Sequence, residues 1–110
     1  MRVLIVDDES AFAGPLAQRL SLRGMETRTA HDAGEALKVL HDWPAELVFL
    51  DVGLPGMDGV ALLKIMREKH PQTDVVMLSG AADMGKAVQA MRRGAFNWLS
   101  KPVDLEQVLE

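Results

Sequence analysis

Reactive polar side chains stand at or just after the ends of several short apolar runs in this sequence. Of five such runs, four end in, or within two residues of, a reactive polar side chain. These side chains are Asp7 with Asp8, Asp51, Ser79 and Lys101. In an open parallel sheet the carboxyl ends of the strands lie along one rim, where ligands bind. If the runs are parallel strands, three carboxylates, a hydroxyl and an ammonium converge on one site.

This group of side chains is suited to a hard divalent cation. Carboxylates without thiols or clustered imidazoles favour Mg²⁺, with Mn²⁺ as the alternative. Three aspartates and one lysine carry a formal charge of -2, which the cation would neutralise, so that a dianionic phosphoryl group can approach. Asp51 would be the nucleophile, because an aspartate carboxylate can form an acyl phosphate. The cation, Lys101 and the Ser79 hydroxyl would each stabilise a phosphoryl oxygen.

The elements that must position these residues follow from the apolar pattern. Short runs rich in Val, Ile, Leu or aromatic residues occupy residues 3–6, 25–29, 47–50, 75–78 and 96–99. Between them, apolar residues recur at helical spacing, which predicts βαβ units around a parallel sheet. The second run, Met-Glu-Thr-Arg-Thr, alternates apolar and polar residues. We therefore place it at an edge of the sheet.

Helix termini are marked by capping residues. Asp32 with Glu35 fits a capping box, and Asp58 is interpreted as the cap of the third helix rather than as a metal ligand. Gly24 and Gly94 stand where helices end in a left-handed residue.

The first helix contains an internal proline. Pro15 removes a backbone donor and clashes with the preceding turn of a helix. The sequence leaves open whether the helix begins late, with Pro15 at its first position, or begins near Ser10 and is kinked.

Composition narrows the class of protein. The chain has 110 residues, which predicts one domain over residues 1–110, and it has no cysteine, which excludes disulfides and thiol chemistry. The net charge is -4 and no basic run exceeds Arg92-Arg93, so we expect no nucleic-acid binding by this segment. No apolar stretch approaches the ~20 residues of a membrane span, and we expect a cytoplasmic protein without membrane contact.

Four motifs of this chain resemble, in order and spacing, the receiver domains of two-component response regulators. They are Asp7-Asp8-Glu9, Asp51-Val-Gly-Leu-Pro-Gly-Met-Asp-Gly59, Ser79-Gly-Ala81 and Lys101-Pro102. The resemblance runs from Arg2 to about Leu109. It implies an α/β fold, a doubly wound, flavodoxin-like (βα)5 parallel sheet with strand order 2-1-3-4-5.

The resemblance also implies a set of ligands and partners. Mg²⁺ would be bound by Asp8, Asp51 and the backbone carbonyl of Gly53, with Asp7 acting through a metal-bound water. The phosphoryl donor would be a phosphohistidine of a sensor histidine kinase or phosphotransfer protein, or a small donor such as acetyl phosphate. The domain would catalyse only its own phosphorylation and dephosphorylation. In the family the lysine–proline peptide is usually cis, and Lys101-Pro102 permits that geometry.

A conformational switch is implied as well. On phosphorylation the Ser79 hydroxyl would move toward the phosphoryl group, and the aromatic residue three before the lysine, here Trp98, would swing into the vacated space. Most relatives have Tyr or Phe at that position. The readout face would be the fourth helix, fifth strand and fifth helix, roughly residues 83–110, contacting an output domain or a regulated protein.

In the family, the side chains at the positions of Gly53 and Ala81 flank the path of the water that hydrolyses the acyl phosphate. Both residues are small here, which predicts a short lifetime of the phosphorylated form.

Two alternative functions share part of this pattern. A phosphatase with an aspartyl-phosphate intermediate uses similar chemistry, but it usually carries a second aspartate where Gly53 stands, and 110 residues leave little for a substrate pocket. A phosphorylation-independent interaction module on the same fold would be indicated by loss of an acidic or lysine residue, and none is lost.

Glu110 falls inside the predicted last helix, which we expect to be truncated. The output domain, cognate kinase and oligomeric state stay open, a phosphorylation-linked dimer included.

Overall fold

Five apolar runs form one parallel sheet. The computed structural model describes residues 1–80, 84–101 and 103, apart from the side chains of Met84 and Ala87. Its strands are β1 (Arg2–Val6), β2 (Glu26–Ala30), β3 (Leu47–Asp51), β4 (Asp74–Ser79) and β5 (Asn97–Ser100). They pair in parallel in the order β2-β1-β3-β4-β5. The doubly wound sheet is confirmed, and each predicted strand boundary lies within one residue of the observed one.

The position of each strand in the sheet matches its apolar content. Residues 3–6 of β1 and 48–50 of β3 are fully buried, as expected for strands covered on both faces. β2 alternates exposed and half-buried residues until it reaches the buried Ala30. Its predicted edge position is confirmed. β5, at the opposite edge, is also only partly buried.

Helices cover both faces of the sheet. They are α1 (Ser10–Leu22), α2 (Ala33–Asp42), α3 (Gly59–Lys69) and α4 (Met84–Arg92). Successive strand residues point to opposite faces, and the core accordingly divides in two. One half packs α1 against alternate strand residues such as Ile5 and Phe49, and Val103 belongs to it. The other half packs residues of α2, α3 and α4 against Leu4, Leu50 and Met77.

Helix α1 passes through its proline. It begins at Ser10 and contains Pro15 as its sixth residue, so the interpretation that Pro15 opens the helix is wrong. The apolar side chains Ala13, Leu16 and Leu20 are buried on its inner face, whereas Pro15 is exposed. Tertiary burial of this face compensates for the backbone bond that proline cannot make.

The predicted caps are present, with one difference. Asp32 accepts a hydrogen bond from the Glu35 backbone N–H at 2.8 Å, but the Glu35 carboxylate accepts from the N–H of His31 rather than of Asp32, at 3.1 Å. The second hydrogen bond of the capping box, from a backbone N–H to Glu35, is therefore made one residue earlier in the chain than a capping box predicts. Asp58 accepts from the N–H of Val60 at 3.0 Å and caps α3. Gly24 and Gly94 have φ values of 87° and 98°, which confirms their left-handed conformation.

The junction between β3 and α3 leaves no room for a side chain at Gly59. A Cβ there would lie 2.7 Å from both the Asp51 carbonyl oxygen and the Val52 Cα. The first residue of α3 thus packs directly against the backbone at the end of β3. Because Asp51 is the last residue of that strand, this contact also fixes the position of its side chain.

We expect Gly59→Ala to destabilise the fold by about 1–3 kcal/mol, because the added methyl must displace backbone atoms. Gly85→Ala is the matched control, since Gly85 lies in α4 and a Cβ added there would meet no atom of the described residues within 4 Å. That substitution should be neutral or stabilising by up to about 1 kcal/mol. Urea denaturation measures both, and equal stability of the two variants would contradict the close-packing argument.

Candidate functional site

Three aspartates meet at the carboxyl ends of β1 and β3, two neighbouring interior strands. Asp7 and Asp8 directly follow β1, and Asp51 is the last residue of β3. One carboxylate oxygen from each lies within 4.8 Å of the others. Asp7 is fully buried and Asp51 is 5% exposed, while Asp8 faces solvent. The sheet therefore forces three like charges together, two of them in a poorly solvated position.

Lys101 joins this cluster from the end of β5. Its Nζ lies 2.7 Å from Asp7 Oδ2, 2.9 Å from Glu9 Oε1 and 3.6 Å from Asp51 Oδ2. The Lys101 backbone N–H donates to the Ser79 carbonyl at 3.0 Å, which holds the residue beside β4. Acids and amine from distant parts of the sequence thus converge, as the sequence predicts.

Glu9 is a member of the cluster for which the sequence pattern predicts no role. It hydrogen-bonds to Lys101 through its carboxylate, and its backbone N–H donates to Asp7 Oδ1 at 2.9 Å. The signal in the sequence was its position as the third acid of a consecutive run. Phe12 was missed too: its ring centroid lies 4.6 Å from the Lys101 ammonium, a cation–π contact.

The electrostatics of the site keep Lys101 charged and disfavour the charge on Asp51. Burial raises the pKa of Asp51, the N–H of Gly53 lowers it, and the charge of Asp7 raises it further, so that the net change is upward. Burial lowers the pKa of Lys101, but the contacts with Asp7 and Glu9 and the charge of Asp51 outweigh it, and the net change is upward. Among the described residues of the site, three carboxylates lie within 4 Å of the Lys101 ammonium.

The donor set fits a divalent cation. All its ligand atoms are carboxylate oxygens, which hard cations prefer. The buried Asp7 Oδ2 makes no hydrogen bond to any residue in the described ranges. It is instead ion-paired with Lys101 Nζ at 2.7 Å. One ammonium offsets the charge of the three clustered aspartates only in part, and a divalent cation would neutralise the rest.

Asp51 is held by the loop that follows it. Its Oδ1 accepts a hydrogen bond from the Gly53 N–H at 3.1 Å, and the Val52 N–H donates to the Leu78 carbonyl at 2.9 Å. One carboxylate oxygen is therefore fixed by the backbone, while Oδ2 faces Lys101. Gly53 therefore lies next to the cluster, and the role of its carbonyl as a metal ligand stays a prediction.

Ser79 and Trp98 form a hydrogen-bonded pair beside the cluster. Ser79 ends β4 and is fully buried. The indole Nε1–H of Trp98, on β5, donates to its Oγ at 2.5 Å. The two residues of the predicted switch are thus in direct contact.

Several sequence-based expectations lie outside the described residues. They concern the peptide bond between Lys101 and Pro102, the side chain of Ala81, and the fifth helix with its part of the readout face. Within the described ranges, no helix combines the length and the apolar character needed to cross a membrane.

Comparison with known proteins places the chain in a family. Residues 3–110 match the response regulator receiver domain. The regulatory protein AtoC of Escherichia coli (strain K12) is 37% identical over 107 residues, which make up 97% of this chain and 23% of AtoC. The nitrogen assimilation regulatory protein NtrX of Azorhizobium caulinodans is 39% identical over 109 residues, 97% of this chain and 24% of NtrX. The chain thus spans less than a quarter of the length of these curated relatives.

Solved structures agree. The receiver domain of NtrX from Brucella abortus superposes with a TM-score of 0.91 at 43% identity, covering 97% of this chain and 91% of that one. A response regulator from Burkholderia pseudomallei, solved with a phosphorylated aspartic acid, calcium ion and citrate, also gives a TM-score of 0.91, at 36% identity, covering 98% of this chain and 64% of that one. On the match over nearly its whole length, this chain belongs to the receiver-domain family of two-component response regulators.

Proposed function

We propose that this receiver domain is a phosphorylation-dependent signalling switch in which Asp51 accepts a phosphoryl group. The donor is a phosphohistidine of a sensor histidine kinase or phosphotransfer protein, or a small acyl phosphate. The observation that supports this most strongly is the position of Lys101 Nζ, which lies among Asp7, Glu9 and Asp51 and 3.6 Å from Asp51 Oδ2. A phosphoryl group on Oδ2 would therefore form next to a fixed positive charge.

Asp51 Oδ2 is the reacting atom. The Gly53 N–H occupies Oδ1, which leaves Oδ2 to attack. The Oδ2–P bond forms as the P–N bond of the phosphohistidine breaks, and the imidazole leaves with the electron pair. Lys101 then binds a phosphoryl oxygen, which carries more negative charge than the carboxylates it contacts at rest. The Ser79 hydroxyl donates a hydrogen bond to another phosphoryl oxygen.

Asp7, Asp8, Asp51 and the carbonyl of Gly53 would hold Mg²⁺, with Asp7 acting through a bound water. When bound, the ion neutralises the carboxylates and stabilises charge on the phosphoryl oxygens. The three clustered carboxylates, whose charge Lys101 offsets only in part, support this assignment, as does the calcium ion in the structure of the Burkholderia pseudomallei relative with a phosphorylated aspartic acid. Burial and the charges of Asp7 and Asp8 raise the pKa of Asp51, and a bound cation would lower it and favour the ionised carboxylate needed for attack.

The signal would leave through the face formed by α4 and β5, together with the fifth helix. Three large apolar side chains are exposed on the described part of this face: Val88, Met91 and Phe96, at 57%, 46% and 67%. Apolar exposure of this kind suits contact with an output domain, a regulated protein or a second copy of the chain. The NtrC relatives are named as DNA-binding transcriptional regulators, and we assign any such activity to segments other than this one.

A phosphatase remains the second candidate on chemistry alone, but the site does not favour it. The position two residues after Asp51 is an exposed glycine, which cannot act as a general acid. Stoichiometric labelling rather than repeated turnover therefore separates the two functions.

Incubation with radiolabelled acetyl phosphate and Mg²⁺ should label the chain with up to one phosphoryl group per molecule. Asp51→Asn should abolish labelling, and Lys101→Met should slow it roughly 100-fold, the effect of removing one charge-stabilising contact. Lys64→Met, which removes an exposed lysine on α3, should leave the rate unchanged. Full labelling of Asp51→Asn, or many turnovers of a phosphate ester, would refute the proposal.

Binding of Mg²⁺ should stabilise the fold. At a concentration ten times its Kd the gain is about 1.4 kcal/mol, measured by thermal unfolding with and without chelator. Asp8→Asn should abolish this gain while leaving the metal-free protein at least as stable, because one of three crowded charges is removed. Asp58→Asn keeps a good helix cap outside the cluster and should respond to Mg²⁺ like the natural chain. A normal response from Asp8→Asn would contradict the ligand assignment.

The phosphorylated form should be short-lived, because Gly53 presents no side chain to shield the acyl phosphate from water. Its φ is not positive, so a larger residue fits the backbone. Gly53→Met, alone or with Ala81→Val, should lengthen the lifetime roughly 10-fold, about 1.4 kcal/mol of barrier. The control is Gly34→Met, at an exposed position of α2. An unchanged lifetime in both Gly53 variants would eliminate this explanation.

A further inference from the structure

The contact between Trp98 and Ser79 differs from what the family resemblance leads one to expect. That resemblance predicts an aromatic ring that enters space vacated by the hydroxyl only after phosphorylation. Here the indole Nε1–H donates to Ser79 Oγ at 2.5 Å, with Ser79 fully buried. The ring also packs against the core half that contains Met77. The two side chains thus form one hydrogen-bonded unit.

The backbone holds both partners in register. Trp98 pairs with Met77 on the neighbouring strand, and Ser79 lies two residues further along β4, so their side chains point to the same face of the sheet. Ser79 pairs in turn with Ser100, and its carbonyl accepts from the Lys101 N–H. The hydrogen bond therefore spans two adjacent strands whose relative position is set by the ladder.

The chemistry of the two groups gives the contact a direction. An indole N–H can only donate, whereas a serine hydroxyl offers one proton and two lone pairs. Trp98 therefore occupies a lone pair of Oγ and cannot accept the hydroxyl proton. Ser79 must direct that proton to another acceptor. A phenylalanine ring in the same place would leave the hydroxyl free to rotate.

We propose that Trp98 is a positioning residue whose Nε1–H orients the Ser79 hydroxyl so that its proton points to an oxygen of the phosphoryl group on Asp51. The inference rests on the proposed phosphorylation of Asp51 and adds to it a role for the indole nitrogen. Trp98 and Ser79 act as a hydrogen-bonded pair, and the indole follows the hydroxyl instead of replacing it. The tryptophan thereby links the phosphoryl group to β5, whose residues adjoin the exposed Phe96.

Six proteins test this role: the natural chain, Trp98→Phe, Ser79→Ala, Ser79→Thr, and the two double variants that combine Trp98→Phe with each serine substitution. Their rates of labelling by acetyl phosphate are compared at fixed Mg²⁺. Trp98→Phe keeps an aromatic ring but loses the donor, and should slow labelling roughly 2- to 10-fold, the range for one hydrogen bond. In the Ser79→Ala background the same substitution should have no further effect. In the Ser79→Thr background, which keeps a hydroxyl, its effect should return.

A spectroscopic measurement checks the hydrogen bond independently of phosphorylation. The chain has two tryptophans, so the indole N–H region of a ¹⁵N–¹H spectrum contains two signals. Trp43, which packs beneath Arg28 with 4.7 Å between the guanidinium and the ring, supplies the internal control. Trp43→Phe identifies its signal by loss. Ser79→Ala should move the Trp98 signal upfield and speed its exchange with solvent, while the Trp43 signal stays in place.

The outcomes separate the two proposals. If the natural chain is not labelled at all, the proposed function fails and the positioning role fails with it. If labelling occurs but Trp98→Phe slows it equally with and without the Ser79 hydroxyl, only the positioning role is overturned, because the ring then acts through its bulk. A Trp98 indole signal that ignores Ser79→Ala overturns it as well.

Discussion

The structure depends on the forced approach of like charges at the carboxyl edge of the sheet. Asp7 and Asp51 are removed from water by the strands that carry them, and the solvent-exposed Asp8 lies beside them. In the described part of the site, Lys101 is the ammonium that offsets them, and it is shared with Glu9. Charges crowded in this way are costly unless a cation or a hydrogen-bond donor compensates them. In the proposed function, the same crowding would prepare the site for a cation and a phosphoryl group.

The rest of the fold maintains that arrangement. Fully buried residues of β1 and β3 fix the two central strands, and both halves of the core press helices against them. The start of α3 lies against the backbone at the end of β3, where only glycine fits at position 59. Asp51 is thus held by a rigid strand on one side and a helix on the other. Such support limits the movement of the Asp51 carboxylate, which the proposed phosphoryl transfer would require.

The site also has a physical connection to the surface. Ser79 is bonded to Trp98, Trp98 lies on β5, and the exposed apolar side chains of α4 and the segment before β5 lie beyond it. In the proposed switch, a small movement of the hydroxyl would reach this face through one hydrogen bond and one strand, without a long chain of intermediates. In the proposed hydrogen-bonded pair, the indole nitrogen is the specific atom on this path. Replacing Trp98 by phenylalanine removes that nitrogen and keeps an aromatic ring, so the effect of the hydrogen bond can be measured apart from the effect of packing.

The sequence by itself determined the fold class, the strand order through its family resemblance, and the aspartates, serine and lysine that meet at the site. It could do so because apolar runs predict strands, and parallel strands end at one edge. Tertiary structure alone decided three other points: that α1 continues through Pro15, that Glu9 shares Lys101, and that Trp98 bonds to Ser79. Local patterns do not specify these features, because each depends on side chains from elements distant in the chain and on the packing that outweighs a local preference.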